Sequence, residues 1–177
     1  MQTTAATAPS QVAQLAGKYL TFQLGKEVYG LEILKVREII GLMDITPVPR
    51  TPAHVRGVIN LRGKIIPVVD LRTSFAMERV KDTDQTCIIV VDLSAADGTI
   101  QMGVLVDSVA EVLDIKQEQI EPAPKLGAGV QSDFIRGLAK HNGQVKILID
   151  MSVVVAQDGF VAIQEALSVA TAPASAN

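Results

Sequence analysis

The chain has 177 residues, a formal net charge of -3 and a pI near 5.4, which excludes a general nucleic-acid binder with a basic surplus. Hydrophobic residues make up 48% of it but aromatics only 3%, with no Trp, so its core has to come from Val, Ile and Leu. Its single cysteine, Cys87, rules out an internal disulfide framework and fits a reducing compartment.

Residues 1–17 are rich in Ala, Thr, Ser and Gln and read as a disordered N-terminal tail. They lack the basic cluster and apolar segment of a secretory signal, and no run of about 18 apolar residues follows anywhere. A cytoplasmic protein is expected, held at a membrane only through a partner. From Lys18 onward the chain reads mainly as strands. "YLTFQL", "GKE" and "VYGLEI" form a first hairpin signal; "GVINL", "RGK" and "IIPVVDL" form a second. "TPAHVRG" reads as a short helix with Thr51 as cap and Pro52 in its first turn. Pro67 lies inside a strand-like run, which predicts an edge strand or a bulge. "TCIIVVDL" and "TIQMGVLVDSV" flank the turn cluster "SAADG", and "QVKILIDM" is a late strand. A short C-terminal helix is predicted from Phe160, Ile163 and Leu167, followed by a loose tail. Many short strands with frequent turns make the fold all-β, a barrel or sandwich class.

An internal repeat runs through these elements. "HVRGVINLRGKIIPVVDL" from His54 aligns without a gap on "FIRGLAKHNGQVKILIDM" from Phe134. Arg56, Gly57, Gly63 and Asp70 meet Arg136, Gly137, Gly143 and Asp150. Upstream, "GLEILKVREII" resembles "GVLVDSVAEVL", with Gly30, Val36 and Glu38 against Gly103, Val109 and Glu111. Two copies are too few for a solenoid, so a pair of packed barrels is the expected architecture.

Chemistry is hard to find. Gly57, Gly63 and Lys64 superficially suggest a phosphate loop, but five residues separate the glycines and Ile65 stands where a hydroxyl is needed. Gly63 and Gly143 are better read as structural hairpin glycines, the latter in the strong turn signal Asn-Gly. His54 and His141 are isolated, so no metal or cofactor is expected, and no serine sits in a nucleophile elbow. Asp70, Asp92, Asp107 and Asp150 end apolar strands, where carboxylates face solvent or cap turns. No catalytic residue emerges. Glu38 in "VREII" and Arg62 in "INLRG" can pair across neighbouring strands, either as an ordinary surface ion pair or as a clasp beside an apolar groove.

"YGLEILKVREII", "TPAHVRGVINLRGKIIPVVDLR" and "EQIEPAP" together resemble the bacterial chemotaxis coupling proteins of the CheW family, over roughly Lys18 to Met151. The resemblance implies a single CheW-like domain over 18–157, built of two pseudo-repeated five-stranded barrels related to SH3 and OB folds. The sub-barrels are 18–82 and 83–157, with a boundary that is approximate because strands can interlock; 158–177 hold the short helix and tail. It implies a non-catalytic adaptor between the signalling tips of chemoreceptors and the regulatory domain of the histidine kinase CheA, within receptor arrays. The receptor-binding groove then falls on Val36, Glu38, Ile39, Gly57, Asn60, Leu61 and Arg62, with Gly57 allowing close approach of a partner backbone. The kinase or ring interface falls on Pro122, Pro124 and Leu126. The rival readings are the same fold in a non-motility chemosensory pathway and a small nucleic-acid-binding barrel; the latter is opposed by few aromatics and negative charge.

Overall fold

The computed structural model describes residues 13–78, 81–95, 98–123 and 134–157. Strands β1 (Gly17–Leu24) and β2 (Glu27–Glu32) form the first hairpin, and β3 (Val36–Gly41) follows a single 3-10 turn. After a connection come β4 (Val55–Leu61) and β5 (Lys64–Asp70), which runs into a helical turn, Leu71–Ser74. The second half holds β6 (Cys87–Ala95), β7 (Gly98–Val106), β8 (Ser108–Ile115), β9 (Ile120–Pro122), β10 (Ile135–His141) and β11 (Gln144–Ile149). The helix Met151–Gln157 ends the described part. The predicted Phe160–Leu167 helix lies outside the described residues.

The two repeated hairpins share their turn chemistry. Arg62 and Gly63 have φ of 54° and 85°, Asn142 and Gly143 of 51° and 75°. Two consecutive positive φ values make a two-residue hairpin turn whose twist matches that of its strands. Each copy also has a bulge before its matching glycine, between Val55 and Gly57 and between Ile135 and Gly137. Each is closed by the same backbone bond, Asp70 N–H to the His54 carbonyl and Asp150 N–H to the Phe134 carbonyl, at 2.7 and 2.8 Å. Both Asp70 and Asp150 then accept from the amide two residues on, capping the helical segments that follow.

Each sheet draws strands from both halves of the chain. One has the order β8-β1-β2-β11-β10-β9, the other β3-β6-β7-β5-β4. The joins are two parallel ladders: β2 with β11, pairing Gly30 with Leu148, and β7 with β5, pairing Gly103 with Val68. Gly30 and Gly103 occupy matching places in the repeat, as do Leu148 and Val68. The first hairpin of each copy thus sits in the sheet completed by the other copy. Glycine suits both joins, because a Cβ would come within 3.0 Å of Leu148 at Gly30 and 2.8 Å of Ile88 at Gly103.

Interlocked sheets need strands that are apolar on both faces, which explains the continuous runs in the sequence. In β6, Ile88 and Val90 enter the core of the five-stranded sheet with Ile59, Ile66, Val68 and Leu105. Ile89, Val91 and Leu93 of the same strand enter a larger core shared between the sheets. Tyr19 likewise joins the six-stranded sheet's core, while Leu20, Phe22 and Leu24 join the shared one. Full burial of each Val, Leu or Ile stabilises the fold by about 1.5–3 kcal/mol. The packed part takes in Leu15, which is buried and accepts a hydrogen bond from the Tyr19 hydroxyl at 2.6 Å. Thr21 sits at a bulge in β1, where its buried hydroxyl bonds both the N–H and the carbonyl of Glu111 and replaces the ladder bonds lost there.

Two local expectations meet a different outcome. "TPAHVRG" does not form a helix; it makes one turn, with Val55 N–H bonded to the Pro52 carbonyl, and enters β4 at once. Pro67 lies in β5, an internal strand rather than an edge; the other expected setting, a bulge, occurs next to it, where β4 shifts register opposite Val68 and Val69. Its partner Val58 spends its N–H and carbonyl on Thr46, on the far side of β4. In an antiparallel pair the opposing residue then also points its nitrogen away from the ladder, and pairing with β7 begins only at Val68. No ladder bond is lost to the proline.

Candidate functional site

β3 and β4 stand at opposite ends of the five-stranded sheet, yet Glu38 and Arg62 meet across the seam between them. The Arg62 guanidinium donates to both Glu38 carboxylate oxygens, at 2.6 and 2.7 Å. The sequence expectation of a pair is met by strands that are not ladder neighbours. The pair becomes possible because Arg62 takes the left-handed turn position and the sheet curls. The hydrogen bonds from Arg62 hold the Glu38 carboxyl below the usual carboxylate range, and Glu38 raises the Arg62 pKa in return. Arg62 is 72% exposed, so the pair is open to solvent and to a partner.

The other expected groove residues divide by role. A bulge at Arg37 turns β3 between cores: Val36 packs on the shared core and Ile40 on that of the five-stranded sheet. Ile39 faces outward and is 43% exposed, with Leu42 beyond it at 39%. Leu61 packs on the same core as Ile40. Asn60 is exposed, and its side-chain oxygen accepts the Gly63 N–H at 2.9 Å, bracing the turn that carries Arg62. Gly57 is buried with φ of 144°, and a Cβ there would lie 2.1 Å from the Thr46 carbonyl oxygen. The backbone that comes close to Gly57 is therefore the chain's own β3–β4 connection. Pro122 is exposed on β9, in the other sheet; Pro124 and Leu126 lie outside the described residues.

One cluster escaped the sequence reading. Arg72 is 2% exposed and directs its guanidinium to Asp70, Asp82 and Asp107, at 3.2–3.4 Å. Arg56 adds contacts to Asp70 and Asp82 at 3.5 and 3.0 Å. Asp107 also accepts the Gly25 N–H of the β1–β2 turn at 2.8 Å, so the network ties one sheet to the other. Burial works against the Arg72 charge, but Asp70, Asp107 and Asp82 outweigh it and raise its pKa. The hydrogen bond from Arg56, with help from Arg72, lowers that of Asp82 against its partial burial. Carboxylates held between guanidiniums act as structural anchors here. The only sequence signal was an arginine directly after a long apolar strand.

The CheW-like domain model matches residues 18–158. The chain is 39% identical to the chemotaxis protein CheW of Klebsiella aerogenes, over 79% of this chain and 85% of that one. It is 32% identical to the chemotaxis protein CheW of Treponema pallidum, over 75% and 78%. The crystal structure of the scaffolding protein TtCheW from Thermoanaerobacter tengcongensis is similar with a TM-score of 0.70 at 35% identity, covering 79% of this chain and 92% of that one. The chain belongs to the CheW-like family and is a chemotaxis adaptor and scaffold.

Proposed function

We propose that the chain joins transmembrane chemoreceptors to the histidine kinase CheA, catalyses no reaction itself, and supports assembly of receptor arrays. The observation that carries this reading is the exposed two-point Arg62–Glu38 pair beside outward-facing Ile39, in a member of a family of chemotaxis scaffolds.

The receptor's helical tip docks in a groove of which this seam is one wall. Ile39 supplies apolar contact, and the charges of Glu38 and Arg62 set register, the usual division in helix-in-groove recognition. Val36 and Leu61 hold the seam on the packed cores, Asn60 braces the turn, and Gly57 contributes by seating Thr46 against β4. The kinase regulatory domain binds elsewhere, around Pro122, Pro124 and Leu126. A molecule with two different contact ends can alternate with the kinase head to tail, and such contacts close into rings or continue as arrays. Among the described residues no helix is long and apolar enough to cross a membrane, so the receptor supplies the membrane attachment.

The test is co-sedimentation of the purified chain with a receptor signalling fragment and CheA. A ternary complex is expected; retention of neither partner would overturn the reading.

A further inference from the structure

The second copy of the repeat lacks the arginine that fills the first. In the gap-free alignment Ser152 falls opposite Arg72, and Asp150 opposite Asp70. The frame is otherwise the same: the bulge, the closing backbone bond, the aspartate cap and the preceding arginine all recur. In the first copy the Arg72 side chain is buried against Asp70. At the matching place in the second copy is a cleft of about 330 Å³ lined by Glu32, Lys35, Arg136, Asp150, Met151 and Ser152, among others. Arg136 has turned from the aspartate to pair with Glu32. One oxygen of Asp150 accepts the Ser152 N–H at 2.9 Å; among the described residues its other oxygen has no donor. In Asp70 that second oxygen takes Arg56 and Arg72.

We infer that this cleft is a docking site for an arginine side chain of a partner protein, which enters beside Ser152 and pairs with Asp150 as Arg72 pairs with Asp70. The Glu32–Arg136 pair is internally neutral, and Lys35 is exposed, so among the described residues Asp150 is the charge left for a guanidinium to meet in the cleft. Residues 158–177, which follow the helix Met151–Gln157, contain neither Lys nor Arg and cannot supply the cation. The apolar wall of Leu31, Leu93 and Met151 suits the methylene stem of arginine. The inference does not depend on the receptor groove, which is assigned to different residues, although Leu93 of β6 brings the five-stranded sheet into the cleft wall.

The test is NMR titration of the full 15N-labelled chain with the blocked tripeptide acetyl-Gly-Arg-Gly-amide, and with its citrulline and lysine counterparts. Saturable amide shifts are expected at Glu32 and from Asp150 to Val153, with affinity about tenfold weaker for the neutral citrulline peptide. Asp150→Asn keeps the cap on the Ser152 amide but removes the charge, and should weaken binding of the arginine peptide to the citrulline level. Ser152→Arg fills the cleft from within and should abolish the shifts. Equal response to arginine, lysine and citrulline, shifts confined to other surfaces, or full binding by Asp150→Asn would overturn the inference. Tighter binding of free arginine than of the peptide would overturn the assignment to a protein side chain.

Discussion

Arg62 and Glu38 are joined at two points across a seam that no backbone ladder closes. A side-chain pair at such a place carries positional information more than stability, because solvent screens it. Arg62→Glu should therefore leave the melting temperature within about 2 °C of the parent, as exposed substitutions usually do. Recruitment by a receptor signalling fragment should fall by about tenfold or more. Thermal melts and a pull-down read the two effects separately; unchanged receptor binding would remove the seam from the groove.

Gly57→Ala should be costly for a reason internal to the chain. It forces a side chain onto a backbone with φ of 144° and drives its Cβ against the Thr46 carbonyl. Strain plus loss of the Thr46–Val58 bridge predicts a destabilisation of about 2–4 kcal/mol in urea unfolding. A change under 1 kcal/mol would mean that the connection moves aside freely.

The buried network should be sensitive to removal of its centre. Arg72→Met leaves Asp70 and Asp82 to Arg56 and takes the guanidinium away from Asp107, and breaking a buried pair on one side costs about 3–5 kcal/mol. Equilibrium unfolding measures this directly. Because Asp107 also holds the β1–β2 turn, amide exchange at Gly25 should quicken in the same variant.

Much of this was legible in sequence because it was local. Strands, hairpins and the Arg62-Gly63 and Asn142-Gly143 turns follow from alternation and glycine placement within a few residues. The repeat also announced itself, since duplication preserves spacing. The crossing of the two copies was implied only by the family resemblance, because it rests on ladders such as Gly30 with Leu148, between residues far apart in the chain. Arg72 was missed for a related reason: its three carboxylate partners come from separate segments, and only folding gathers them. Pro67 misled because a proline's cost depends on which side its nitrogen faces, and the Thr46 bridge that settles this lies in an irregular connection. The Arg62–Glu38 ion pair was foreseen, but not that it joins the two ends of one sheet.

Acid should weaken the fold partly through Asp82. Its folded-state pKa lies below the unfolded value of about 3.9, so between the two the unfolded chain binds more protons and stability rises with pH. The contribution is complete above the unfolded value and is lost as pH falls through the folded one. Urea midpoints taken from pH 5 down to 3 should decline less steeply in Asp82→Asn than in the parent. Equal slopes would show that Asp82 is not one of the linked groups.

The coupling role is tested most directly by CheA autophosphorylation, reconstituted with a receptor signalling fragment and with or without the chain. Addition of the chain should raise kinase activity severalfold with receptor present and leave it unchanged without receptor. Activity that ignores the chain in both settings would contradict the account.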